Sequence, residues 1–179
     1  MGAALFNFYL NRRRDARLRR EEMVSVAAAL YGEILLLRNE LALLSKVFAK
    51  FEMDNRALSE SDMLHYSPSV PLLYTALASK LGLLPSDLLL GITQFYAHVE
   101  GARRGLESYY RKQTEGIQFA SSVVLEDGVA GVHDVKPVLR RIQQLASIPE
   151  AKDPDTGMAE AILEDERFRF EEQRGLNSR

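Results

Sequence analysis

Between residues 15 and 54 the chain carries no proline and one glycine, Gly32, and an apolar seam runs through it unbroken. Met23, Ala27, Leu30, Ile34, Leu37, Leu41, Leu44, Phe48 and Phe51 follow one another at alternating spacings of four and three. That is the period of a helix presenting one face to a partner. A strand repeats every two residues and would turn half of these side chains to water. Val24, Tyr31, Leu35, Leu36, Leu43 and Val47 widen the stripe beyond what a two-stranded coiled coil covers. The helix therefore needs neighbours on more than one side, which predicts a bundle. Running from an arginine-rich start to about Asp54, it reaches ~70 Å at 1.5 Å per residue. A single domain of 179 residues is shorter than that, so one end projects, and it is the basic one.

The remaining chain supplies the neighbours. Asp54, Asn55, Ser59, Ser61, Asp62, Ser67, Pro68 and Ser69 are turn and cap formers, with Met63, Leu64 and Tyr66 pinning that loop to the bundle. A short helix follows from Pro71 to about Leu81, capped by Ser69, with Gly82 in the left-handed position after its end and Pro85 preventing continuation. Ser86 and Asp87 open a second long helix. Its seam reads Leu88, Ile92, Phe95, Val99, Ala102, Leu106, Tyr109, Gln113, Ile117, Ala120 and Val124. Gly101, Gly105 and Gly116 weaken it. Asp127, Gly128 and Gly131 mark a turn, and a third core helix spans about Asp134 to Ala146 with Pro137 in its first turn. Beyond Pro149 acids outnumber bases, and Met158 to Arg174 forms a charged helix. The fold predicted is an all-α, antiparallel helical bundle with two long helices, shorter packing helices and a charged C-terminal helix. Residues 1–20 form a membrane-anchor end and basic neck, 21–148 the bundle, and 149–179 the charged, partly helical segment.

The start of the chain changes character abruptly. Met1 to Leu10 is mostly apolar, whereas Asn11 to Arg20 holds six arginines and one aspartate. The apolar part has about half the ~20 residues that a spanning helix needs. It is no signal peptide, since the basic run follows the apolar one. Phe6 stands where a myristoylation motif requires Ser or Thr. Two arrangements remain. In one, the segment is the last turns of a truncated transmembrane helix and its cytoplasmic flank. Phe8 and Tyr9 then sit at the headgroups, and Arg12, Arg13, Arg14 and Arg17 face anionic lipid. In the other, the arginine run is a solvated helix end.

The run Phe8-Tyr9-Leu10-Asn11-Arg12-Arg13-Arg14-Asp15 resembles the junction in small, uncharacterised bacterial membrane proteins. Those have one N-terminal transmembrane helix followed by a long cytoplasmic helix. The segment Tyr74 to Tyr96, with Lys80-Leu81-Gly82-Leu83-Leu84-Pro85 and Gln94-Phe95-Tyr96-Ala97, is similar to their later helical hairpin. The resemblance covers residues 1 to 110. This chain departs from it by lacking most of the spanning helix. The family brings no activity, so the resemblance assigns no functional residue.

No motif carries chemistry. Without cysteine there is no disulfide, thiolate nucleophile or Cys-ligated metal. Asp62 and His65 form one Asp-x-x-His with no second copy, short of a di-iron set. His98 and Glu100 diverge on a helix, and His133 reads as a turn residue. Glu164, Asp165 and Glu166 read as a solvated face. Arg103, Arg104, Tyr109, Tyr110, Arg111 and Lys112 interleave bases with aromatics, as single-stranded nucleic-acid binders do. Arg103–Glu107 and Arg111–Glu115 at i, i+4 instead predict a salt-bridged helix face. The expectation is no catalytic residue, no metal, no cofactor and no nucleic-acid partner. The function expected is a non-enzymatic interaction or scaffold protein at the cytoplasmic face of a bacterial inner membrane. Its partners would be anionic lipid at the N-terminus and a protein or a second copy. The alternatives are a soluble self-associating bundle in the cytoplasm and an enzyme whose site the sequence does not display.

Overall fold

The computed structural model describes the backbone of residues 2–117 and 120–177 and the side chains of residues 11–117 and 120–172. Among them stand α1 (Gly2–Met53), α2 (Glu60–Tyr66), α3 (Leu72–Ala76), a 3-10 segment (Ala78–Leu83), α4 (Ser86–Thr114), α5 (Ser122–Asp134), α6 (Lys136–Ala146) and α7 (Gly157–Asn177). No strand occurs among the described residues, and the chain is an all-α helical bundle.

The seam of α1 goes inward as its period requires. Ala27, Leu30, Ile34, Leu37, Leu41, Leu44 and Phe48 are buried. Each large side chain so covered contributes about 1.5–3 kcal/mol of transfer free energy. Residues 11–22 of α1 are exposed throughout, so the helix stands clear of the bundle at its basic end. At the other end Asn55 takes a left-handed turn, φ 48°, and the chain comes back along α1. Ser69 meets Glu40, Leu73 and Tyr74 meet Glu33, and Lys80 meets Glu22.

That return sets the direction of everything after it. α4 starts where α1 enters the bundle and runs parallel to it: Tyr96 reaches Glu33, and Tyr109 reaches Glu52. α5 and α6 run back, with Val132 against Arg38 and Gln143 against Tyr31. α7 reverses again, pairing Glu160 with His133 and Glu166 with Ser121. The bundle is thus antiparallel, while its two long helices share a direction and α5 packs against both.

The region 54–69 contains a true helix. Ser59 caps α2 through a reciprocal box with Asp62. α3 has no side-chain cap of its own; Ser69 is engaged by Glu40 instead. Gly82 lies inside the 3-10 segment without a positive φ, contrary to the expected C-terminal role. That role falls to Gly116, φ +73°, with Ile117 N–H closing on the Lys112 carbonyl at 2.9 Å. The second long helix therefore stops at Thr114 rather than running on to Val124. Ile117 is left half exposed, and Val124 is buried from α5. Gly128 and Gly131 mark no turn. They lie inside α5, where added Cβ atoms would meet Ser45 Oγ at 2.3 Å and Leu41 Cδ1 at 2.6 Å.

At Gly105 the neighbour is backbone: an added Cβ would stand 2.7 Å from the carbonyl oxygen of Val123. A backbone neighbour cannot rotate away. Gly105→Ala should lower stability by about 1–3 kcal/mol through overpacking. At Gly32, exposed and with nothing within 4 Å of an added Cβ, the same change should raise it by about 0.5–1 kcal/mol. Urea denaturation checks both: midpoints should move in opposite directions at unchanged slope.

Candidate functional site: the arginine stem and the polar ties of the bundle

The stem is the exposed part of α1. Of the residues expected to contact a membrane, Arg12, Arg13, Arg14 and Arg17 are exposed on it. Phe8 and Tyr9 belong to the same helix, but their side chains lie outside the described residues. At about 100° per residue, Arg12, Arg13, Arg14, Arg17, Arg19 and Arg20 spread over roughly 220° of the circumference and leave an arc of roughly 140° to Asn11, Asp15, Leu18 and Glu22. A helix lying flat in a membrane interface turns an apolar face to the lipid, and the arc free of arginine carries Asn11, Asp15 and Glu22 beside its one leucine. Arg17 pairs with Glu21 at 2.8 Å. Glu22 is held by Lys80 at 2.8 Å, which marks where the bundle takes hold of the helix. An open depression of about 320 Å³ between Arg17, Arg20, Glu21 and Val24 sits at that junction. Among the described residues no helix is long and apolar enough to cross a membrane.

Inside the bundle, polar side chains on the long helices bind the loops. Glu33 accepts from Leu73 N–H at 2.6 Å, Tyr74 N–H at 2.9 Å and Tyr96 O–H at 2.6 Å. It thereby caps α3 from another helix and ties in α4. Burial, with the Glu33 carboxylate beside it, holds the Tyr96 phenol well above its ordinary value. Gln113 grips Leu58 through both its N–H and its carbonyl. Burial, and then the bond to Glu52, pushes the Tyr109 phenol up to about 12.

Among the described residues, Arg38 is the one charged side chain buried in the core, 2% exposed. Its Nε donates to the Val132 carbonyl at 3.0 Å and its Nη2 to Asp153 at 2.6 Å. Asp153 also meets Lys136 at 3.0 Å. The pair fastens the segment leading into α7, where Ala159 and Leu163 are buried.

The histidines come closer to a site than the sequence suggested. His98 lies 2.8 Å from Asp127 through Nδ1 and 3.6 Å from Asp134 through Nε2. His133 Nε2 lies 2.6 Å from Glu160 and 3.1 Å from Thr156. The two rings border a depression of about 570 Å³ with Gln94 and Pro137. Both nitrogens of His98 face carboxylates, and Thr156 donates to Glu160, so neither ring addresses a nucleophile. Among the described residues no three His, Asp or Glu side chains are placed to hold a metal. His65 lies on α2, whose Asp62 is spent on the cap. Arg103 and Arg104 both turn to Glu100, at 3.2 and 2.8 Å, rather than Arg103 to Glu107. Their face is salt-bridged as expected, through a different acid.

Fold and stem together define a class: an all-α bundle carrying a projecting basic helix, with no assembled catalytic geometry among the described residues. Neither family models, curated proteins nor solved structures give a match to this chain.

The Arg38 guanidinium, with Lys136 beside it, holds the Asp153 carboxyl at about 2 against an ordinary 3.8. A depressed carboxylate contributes stability above its unfolded value and loses it as pH falls through the folded one. Asp153→Asn should therefore be less stable than wild type at neutral pH. The difference should close between about pH 4 and pH 2. Because Asp153 is more than half exposed, screening keeps the effect small. Denaturant titrations at a series of pH values read it directly, and a gap that persists at pH 2 assigns the effect to packing.

Proposed function

We propose that the protein is a non-enzymatic interaction or scaffold protein held at the cytoplasmic face of a bacterial inner membrane by its arginine stem. The observation that carries this reading is the stem itself: six arginines within nine residues of an exposed helix, directly after an apolar run. With arginines over most of its circumference and no apolar face among residues 11–22, the helix suits a bilayer met end-on better than one it lies flat upon. Anionic lipid attracts such a segment by ~1 kcal/mol per basic residue near the surface. The cytoplasmic side follows from the tendency of arginine flanks to stay inside. Partners are then anionic lipid at the stem and a protein on the bundle surface. The mechanism is positional: the stem holds the bundle near the membrane, and the bundle presents a surface.

Vesicle flotation tests it. The full chain should float with vesicles rich in phosphatidylglycerol and far less with neutral ones, and high salt should weaken binding. Arg12→Glu, Arg13→Glu and Arg14→Glu together should reduce partition at least about a hundredfold, since three attractions become repulsions. Equal flotation of the reversed variant would remove the stem from the mechanism.

A further inference from the structure

Folding leaves a second apolar stripe uncovered. Leu36 and Leu43, seven residues apart on α1, face away from the core and are 55% and 51% exposed. The returning chain lies on the same side. Glu40 takes the Ser69 N–H and hydroxyl, Glu33 takes the Leu73 and Tyr74 N–H groups, and Leu36 occupies the turn between those glutamates. On that chain Val70, Leu72 and Leu73 are themselves exposed. Two apolar ridges therefore run side by side. Residues 67–79 contain no charge at all. Single exposed leucines are ordinary, but exposed apolar side chains grouped on either side of the hydrogen-bonded carboxylates of Glu33 and Glu40 mark a contact surface.

Charges frame the face unevenly. The α1 ridge is bordered by exposed Lys46 and Lys50 near its C-terminal end. The second ridge begins at that same end with exposed Glu60. The opposite end carries Lys80 paired with Glu22, Arg17 paired with Glu21, and Arg20.

We propose that this face binds a second copy of the chain in a two-fold dimer whose α1 helices point the same way. The Leu36–Leu43 ridge of one protomer packs on the Val70–Leu72 ridge of its partner, and the converse contact follows by symmetry. In that orientation Lys46 and Lys50 meet the acidic start of the partner's second ridge. An antiparallel arrangement would take the lysines away from Glu60 and set them against the Lys80–Glu22 and Arg17–Glu21 pairs, whereas the parallel one sets the two arginine stems side by side, a repulsion that salt screens. The parallel arrangement places both stems on one side, as a single bilayer requires. Only that last point rests on the membrane reading; the dimer itself does not.

The experiment uses the full chain without lipid. Light scattering on a dilution series should give a dimer dissociating to a monomer. Leu36→Glu with Leu43→Glu should give a monomer at every concentration with unchanged helical circular dichroism, because neither side chain supports the core. Lys46→Glu with Lys50→Glu should weaken association by about tenfold or more, and adding Glu60→Lys should restore part of it. Since the chain has no cysteine, Ala16→Cys places one thiol on each stem. A short bis-maleimide should then join the two protomers. A wild-type monomer at all concentrations overturns the proposal, as does an oligomer indifferent to the leucine changes. Failure of Ala16→Cys to cross-link within an otherwise intact dimer overturns the parallel arrangement. A monomer whose flotation depends on Leu36 and Leu43 shows the face to be lipid-directed instead.

Discussion

The inner face of α1 touches every other element, from α2 through α7. No other helix has that position, and the architecture follows from it. A 52-residue helix cannot be covered by one partner of ordinary length, so the chain lays several shorter pieces along it in succession. The 3-10 segment and α3 lie near the stem end of the bundle, α5 at the middle, and α6 beside Tyr31. Because the chain leaves α1 at its far end, it must travel back before a second long helix can begin. α4 then has no choice but to run parallel. The apolar seam is therefore the cause of the topology as well as of the core.

Covering one helix with short pieces leaves many chain ends near its surface, and each end carries unpaired backbone groups. The long helices answer this with side chains. Glu33 takes two N–H groups of α3, and Gln113 satisfies both backbone groups of Leu58. The bonds to Glu33 are charge-assisted and stronger than the neutral ones Gln113 makes. Arg38 extends the device to the core, where its partners are a helix carbonyl and an aspartate at the rim. An arginine buried without both would carry an uncompensated charge. The segment 149–156 is thus a structural necessity of α1's sequence, although its composition reads as a linker.

What the sequence made legible was whatever depends on period and local chemistry. The inward seam of α1, the start of α4 at Ser86, Pro137 in the first turn of α6 and the helical C-terminal segment all follow from residues close together in the chain. What it hid depends on the third dimension. Leu36 and Leu43 look the same as Leu37 and Leu44 to a hydropathy pattern, yet the first pair is exposed and the second buried. Ile117 and Val124 stay in phase with the α4 seam by coincidence, since Gly116 has already turned the chain. A glycine's role follows from what lies beside it: Gly128 and Gly131 read as a turn because Leu41 and Ser45 are distant in sequence. The pairing of His98 with Asp127 was invisible for the same reason, being made across two helices.

The stem and the core of the bundle are one helix, and this governs how any attachment at one end is felt at the other. Between Asn11 and Met53 the helix contains no proline, and its one glycine, Gly32, lies within the packed region. Kinks in helices arise at proline, at glycine–serine pairs or at bulges, so the stem has no built-in hinge. Orientation imposed on the stem arginines is therefore passed to the bundle. Leu36 lies 24 residues beyond Arg12, which at 1.5 Å per residue is ~36 Å along the axis. A surface touching the arginines end-on leaves the exposed leucines well clear of it. The arginines and the apolar face thus lie at different heights on one rigid rod, which leaves room for the proposed lipid contact and the proposed dimer on the same helix.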